Sequence, residues 1–303
     1  MEINIKPKPK QPFLGQNHTA CVGCGQIMAA RFVLEAIGKK VIVANATGCL
    51  EVTTTLYPNT VWGVPWVHSL FENASAVGSG ILAALKYQKK DKEITVFAQG
   101  GDGGTFDIGF GLISGMWERK ENILYVCYDN EGYMNTGNQT SGATPLVAET
   151  TTSPSGAGPE GIGSRLQKKD MPAIALAHGL KYIATSTIGY PEDIKAKVKK
   201  ALTFDGPKYI QILVTCVPGW NTEPKDTVNI GKLAHETGMY PCYEIVNGKK
   251  KLTVPFPKLR PKVEEYLKMQ GRYKHLFKRS DGKKWIEILQ KVADGNVAKF
   301  SHY

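Results

Sequence analysis

The 303-residue chain has no apolar run near the about 18 residues that a membrane-spanning helix needs. Its opening stretch, MEINIKPKPKQPFLGQNHTA, lacks the hydrophobic core and small-residue cleavage site of a secretion signal, so a cytoplasmic location is expected. Six cysteines are too few to staple a fold of this size, and in a cytosolic chain they bind metal, act in catalysis or are buried. Internal repeats are absent. No recognisable nucleic-acid-binding fold accompanies the net charge of +11, much of which sits at Lys6, Lys8 and Lys10, at 249–251 and from Lys278 to Lys284. These stretches are expected to be solvated faces or contacts with other chains. Neither nucleic acid nor membrane is expected as a partner.

What is present is an alternation of strand and helix patterns. Residues 26–37 place Ile27, Ala30, Phe32, Val33 and Ile37 at helical spacing, with Gly38 as the stop. Apolar runs at 41–44, 93–98, 123–128, 182–185 and 209–214 predict strands, and 75–87, 108–119, 170–177 and a segment from Pro191 predict helices between them. That order predicts an α/β fold: a mostly parallel sheet with helices on both faces. The long connections 50–71 and 135–168 are expected to be functional loops. Beyond Cys216 the pattern dissolves, so residues 1–216 are expected to form the ligand-binding body and 217–303 an irregular C-terminal arm packing on it or on a partner.

The strongest local signal is GGDGGTFD at 100–107 followed by YDNEGYMNTGNQ at 128–139. Glycines directly after a strand let the backbone approach a phosphate, and the following helix N-terminus favours an anion. Asp102 is placed to offer a carboxylate oxygen to Mg²⁺, with the Asn130 amide oxygen and the Gly132 carbonyl as further ligands. In a parallel sheet both segments emerge at the strands' carboxyl ends, where ligands bind. Cys21 and Cys24 form a CxxC turn before a helix, while Cys49 and Cys216 each follow a strand. Four such thiolates fit zinc or an iron–sulfur cluster, and spacing alone leaves both open. Cys127, inside ILYVCY, is read as a buried small hydrophobe, and Cys242 receives no role. His68, in an aromatic loop, is read as structural.

Gly-Asp-Gly followed by an Asn-rich loop is the signature of thiamine-diphosphate enzymes. The fuller segment DNEGYMNTGNQTSGATP resembles the catalytic β subunits of 2-oxoacid:ferredoxin oxidoreductases of the pyruvate synthase type. NHTACVGCGQ, ANATGCLEV and TCVPGW are similar in order and context to the segments with which that family holds a [4Fe–4S] cluster. YPNTVWGVPWVHSLFENASAVGSGI, GKLAHETGMYP and PKVEEYLKMQGRYKHLF extend the resemblance over nearly the whole chain.

The resemblance implies the thiamine-diphosphate-binding fold and oxidative decarboxylation of a 2-oxoacid, or the reverse reaction, with pyruvate and coenzyme A as the expected pair and ferredoxin as electron acceptor. It implies that Cys21, Cys24, Cys49 and Cys216 hold the cluster, and that Gln26, Cys49, Gly101, Asp102, Gly103, Gly104, Asn130, Glu131, Gly132, Tyr133, Met134 and Asn135 border the cofactor. Asn135 is expected nearest the reacting centre. Relatives often carry Glu where this chain has Gln26. The carboxylate that the aminopyrimidine ring needs is expected from an α-type subunit, Glu51 and Glu131 being poorly placed, with γ and ferredoxin-like δ subunits or domains as further partners. Part of the basic surface is then a candidate docking face for an acidic electron carrier. Alternatives are another 2-oxoacid (2-oxoisovalerate, arylglyoxylate, oxalate) or a non-oxidative thiamine-diphosphate lyase or ligase.

Overall fold

The computed structural model describes residues 13–156, 158 and 161–300; Lys6, Lys8 and Lys10 lie outside them. Helix α1 (Gly25–Ile37) leads into β1 (Val41–Asn45), then α2 (Cys49–Thr54), β2 (Trp66–His68), α3 (Ala74–Tyr87) and β3 (Thr95–Gly101). A π-helical turn over Gly103–Asp107 precedes α4 (Phe110–Glu118) and β4 (Ile123–Asp129). After a long loop come α5 (Met171–Ala177), β5 (Tyr182–Thr187), α6 (Pro191–Ala201) and β6 (Lys208–Leu213). The rest holds α7 (Val217–Trp220), α8 (Thr227–Glu236), β7 (Tyr243–Val246), β8 (Lys249–Leu252), α9 (Val263–Lys268) and α10 (Gly282–Ala298).

The strands form one sheet in the order β2-β1-β3-β4-β6-β5-β7-β8. Pairing is parallel from β2 through β5; β7 pairs antiparallel with both β5 and β8, so it alone among these strands runs against the rest. Strand β4 explains the two-sided cover. Successive side chains point to opposite faces, so Leu124, Val126 and Tyr128 join a core with α1 and α6, whereas Ile123, Tyr125 and Cys127 join one with α3, α4 and α5. All seven residues of β4 are buried, as a central parallel strand requires.

Two segments carry more structure than their patterns predict. Residues 50–71 contain α2 and β2. Helix α2 ends in two β-branched threonines of low helix propensity, with a third, Thr55, as its C-cap, and their hydroxyls donate back to the carbonyls four residues earlier: Thr53 to Cys49 (2.8 Å), Thr54 to Leu50 (2.5 Å) and Thr55 to Glu51 (2.9 Å). Residues 217–303 are expected to be irregular; among the described residues, 217–300, there are four α-helices and two strands. Strand β7 pairs with β5, and Trp220, Ile230, Val263, Tyr273 and Leu289 build a third core with Val147, Ala148 and Leu213 of the body. Short elements packed on a pre-existing surface need no strong periodicity of their own, which is why the pattern there is weak.

Candidate active site

Strands β1, β3, β4 and β6 lie side by side, so the loops leaving their carboxyl ends are neighbours. The first brings Cys49, the second Asp102, the third Asn130–Asn135 and the fourth Cys216. Strand β3 runs to Gly101, three residues beyond its expected end, and delivers Asp102 straight into the π-helical turn. Gly103 is required there: a Cβ on it would lie 2.4 Å from the Tyr133 ring, which stacks on Phe71 and donates its hydroxyl to Asp107 (3.0 Å).

Asp102 is fully buried. Its Oδ1 accepts from the Asn130 backbone N–H (3.1 Å) and its Oδ2 from the Ser141 hydroxyl (2.5 Å). Burial, and after it the neighbouring Asp129, push its pKa up to about 8. One terminus of the Asn130 side-chain amide lies 2.9 Å from Asp102 Oδ1 and 2.8 Å from the Gly132 carbonyl oxygen. Turned one way, the amide nitrogen donates to both; turned the other, three oxygens face one another.

A cavity of about 100 Å³ opens beside these groups. Gly101, Asp102, Gly103 and Gly104 line it from one side, and Asn130, Gly132, Tyr133, Met134 and Asn135 from the other, with Gln26 and Cys49 closing an end. Glu131 is turned away. Its carboxylate accepts from Lys168 Nζ (2.8 Å) and Arg272 Nη2 (2.6 Å), and it borders a separate cavity of about 480 Å³ on the far side of the loop. Burial pushes its pKa up, but Lys168 and Arg272 outweigh that and hold it below the ordinary value. Lys168 also meets Asp129 at 2.5 Å.

A third cavity, of about 240 Å³, is lined by Cys21, Cys24, Cys49 and Cys216. Gly25 draws two of them together: its N–H donates to the Thr215 carbonyl (3.1 Å), and a Cβ there would lie 2.7 Å from the Thr215 nitrogen. The Thr227 hydroxyl holds the CxxC turn through the Gly23 carbonyl (2.6 Å). Burial pushes the Cys24 and Cys49 thiols up and Cys216 to about 12, and the neighbouring sulfurs add to each shift. A hydrogen bond between Asn135 and Cys49 acts the other way. Among the described residues no three Cys, His, Asp or Glu side chains are gathered closely enough for a single ion. The thiols surround a space and not a point. Gln26, Cys49, Asn130, Met134 and Asn135 line both this cavity and the smaller one, so they form a common wall.

Cys127 and Cys242 are fully buried and apart from both cavities. His68 lies outside them too, but its Nε2 is 2.7 Å from the Thr47 hydroxyl, and Thr47 lines the smaller cavity. Sequence reasoning missed Ser141, Lys168, Trp220 and Arg272. Ser141, Trp220 and Arg272 all lie inside segments that carry the family resemblance, but only the Ser141 hydroxyl, in the Asn-rich loop itself, was a usable signal; the side chains of Lys168, Trp220 and Arg272 gave none.

The family described as "thiamine pyrophosphate enzyme, C-terminal TPP binding domain" matches residues 46–212. The fold is similar to that of the 2-oxoglutarate:ferredoxin oxidoreductase from Magnetococcus marinus solved with 2-oxoglutarate, coenzyme A and succinyl-CoA bound. The TM-score is 0.57 at 24% identity over 73% of this chain and 72% of that one. Fold and matched segment thus define a thiamine-pyrophosphate-binding enzyme domain. Pyruvate synthase subunit PorB of Methanocaldococcus jannaschii is 52% identical over 94% of this chain and 95% of its own. Ketoisovalerate oxidoreductase subunit VorB of Pyrococcus abyssi is 42% identical over 90% and 88%. The chain belongs to the PorB family of pyruvate synthase subunits, within the 2-oxoacid:ferredoxin oxidoreductases.

Proposed function

We propose that this chain is the thiamine-diphosphate and iron–sulfur half of a pyruvate:ferredoxin oxidoreductase, interconverting pyruvate and coenzyme A with acetyl-CoA and CO₂. The observation that carries the reading is the common wall: a cavity bordered by the Gly-Asp-Gly and Asn-rich loops shares Cys49 and Asn135 with a cavity ringed by four thiols. Similarity to PorB chains supports pyruvate, and the VorB relative supports a branched 2-oxoacid as the second reading.

The donor set fits Mg²⁺. Mg²⁺ holds oxygens at about 2.0–2.1 Å, which sets neighbouring octahedral oxygens about 2.9 Å apart. That is the spacing of the Asn130 amide terminus from Asp102 (2.9 Å) and from the Gly132 carbonyl (2.8 Å). A cation here would also offset the cost of ionising buried Asp102. The four thiols suit a [4Fe–4S] cluster better than zinc, since a cavity of about 240 Å³ exceeds what one ion fills. Bound thiamine diphosphate supplies an electron sink for decarboxylation, and the cluster a one-electron acceptor beside it.

The chain's own residues divide the remaining work. Gly101, Gly103 and Gly104 let backbone approach the diphosphate, while Asp102, Asn130 and Gly132 anchor its cation. Asn135 is assigned to the reacting end, where it shares the common wall with the Cys49 thiol. Gln26, on the common wall, orients without charge. Every residue proposed to touch a cofactor lies between Cys21 and Cys216.

The site is half of a catalyst. The smaller cavity, about 100 Å³, falls below the about 300 Å³ at which pockets for organic ligands begin. Neither Glu131, held by Lys168 and Arg272, nor Glu51 lines it. An α-type subunit therefore supplies the missing wall and the carboxylate for the aminopyrimidine, with γ and ferredoxin-like δ subunits or domains completing the route to ferredoxin. No described helix is long and apolar enough to cross a membrane. The test is anaerobic purification of the complex, iron and sulfide analysis, and viologen reduction across a panel of 2-oxoacids with and without coenzyme A. Pyruvate should give the highest kcat/KM. An iron-free chain with intact fold would refute the cluster.

A further inference from the structure

The loop between Asp129 and Tyr133 reverses direction at Glu131, whose φ is +65°, a left-handed conformation that only outside contacts make persistent in a non-glycine residue. This reversal is what aims the Asn130 amide and the Gly132 carbonyl at the same place. The contacts that hold it come from the C-terminal arm. Arg272 Nη2 donates to Glu131 Oε2 (2.6 Å), and the guanidinium lies flat on the Trp220 ring, 3.8 Å from its centroid. Trp220 Nε1 in turn donates to the Asn130 carbonyl (2.7 Å). Arg272 is itself fixed, its Nε donating to Gln270 (2.9 Å) and its carbonyl accepting from the Glu149 N–H (3.0 Å). From the other flank Lys168 bridges Glu131 and Asp129.

We infer that Arg272 and Trp220 are positioning residues for the cofactor: stacked on each other, they clamp the backbone of Asn130 and the carboxylate of Glu131 so that the Asn130 and Gly132 oxygens stand ready beside Asp102. The inference rests on the proposal that those three residues hold the cation of thiamine diphosphate. It gives Glu131 a different part from the one its motif implied, as a handle behind the loop and not a cofactor contact. It also makes the arm beyond Cys216 part of the cofactor machinery, which its sequence pattern does not announce. Preorganised oxygens bind a cation without first ordering the loop.

The test uses the whole complex, stripped of cofactor by chelation, with thiamine diphosphate and Mg²⁺ titrated back by calorimetry. Trp220→Phe keeps a ring under Arg272 and removes one donor; it should weaken binding about three- to tenfold, with kcat at saturating cofactor nearly unchanged. Arg272→Met should weaken it by more than about tenfold, and Arg272→Lys should restore part of the loss. Arg260→Met breaks an arm ion pair, to Asp294, that does not reach the loop, and should leave cofactor affinity unchanged. Hydrogen exchange of residues 130–134 in the stripped complex should quicken in the first two variants only. Wild-type affinity and exchange in Trp220→Phe, or an equal loss in Arg260→Met, would overturn the clamp. A wild-type complex that takes up no thiamine diphosphate would instead sink the functional reading, and the exchange data would then decide the clamp alone.

Discussion

The Ser141 hydroxyl donates to Asp102 Oδ2 across 2.5 Å, the shortest-range support that this buried carboxylate receives from a side chain. The bond favours the ionised form, against burial and Asp129, which together raise the pKa to about 8.

A pH dependence follows. With Asp102 at about 8 in the folded protein against 3.8 as the ordinary value, the folded state binds the extra proton between those limits. Stability of the cofactor-free chain therefore falls as pH rises from about 4 to about 8. Asp102→Asn should remove this slope and raise the thermal midpoint of the stripped protein at pH about 8. Thermal unfolding at several pH values, with the same variant failing to retain thiamine diphosphate, checks both halves. An unchanged slope would count against the assignment.

Ser141→Ala should push the Asp102 pKa higher still. If Asp102 anchors the cation as proposed, cofactor retention should then be lost at a higher pH on acidification than in the wild type. The effect on affinity at neutral pH should be about tenfold, as for a hydrogen bond to a charged group. Calorimetric titration across pH reads it directly.

Gly25→Ala places a methyl against the Thr215 backbone at 2.7 Å, where neither neighbour can yield cheaply. We expect a loss of about 1–3 kcal/mol and a drop in iron per chain. Cys127→Ala, in the opposite core, should cost about 1 kcal/mol and leave iron unchanged. Iron and sulfide determination on both variants separates a local effect on the thiols from general instability.

Lys168→Met would leave Asp129 and Glu131 buried without their shared cation. Removing one partner from such a network costs about 3–5 kcal/mol. Denaturant unfolding of the isolated chain should show that loss.

Much of the fold was legible because strands such as 123–129 are continuous apolar runs closed by glycine- or asparagine-rich ends, and those ends are where Asp102 and Asn130 stand. The four thiols were legible for the same reason, since each sits at the end of an element. What failed to show was anything whose meaning lies in a distant partner. Arg272 is 141 residues from Glu131, in a stretch with no helical or strand period of its own. Lys168 is an ordinary lysine in QKKD until the fold buries it between two carboxylates. Helix α2 was hidden because its threonines disfavour helix by propensity, while what holds the short helix in place is the packing of Leu50 into the core, a tertiary contact that local propensity does not show.

The wall of Gln26, Cys49, Asn130, Met134 and Asn135 is shared by two cavities and, under the proposed function, stands between two chemistries. For a lineage exploring new substrates, this means that neither compartment is free to drift. A change that reshapes the organic side also alters the setting of a thiol, and a change that tunes the thiols also reshapes the organic side. Diversification is then easier from the outside, through the chains proposed to close the open face, than from within this one. The same coupling warns an engineer that a graft of either half will carry the other with it.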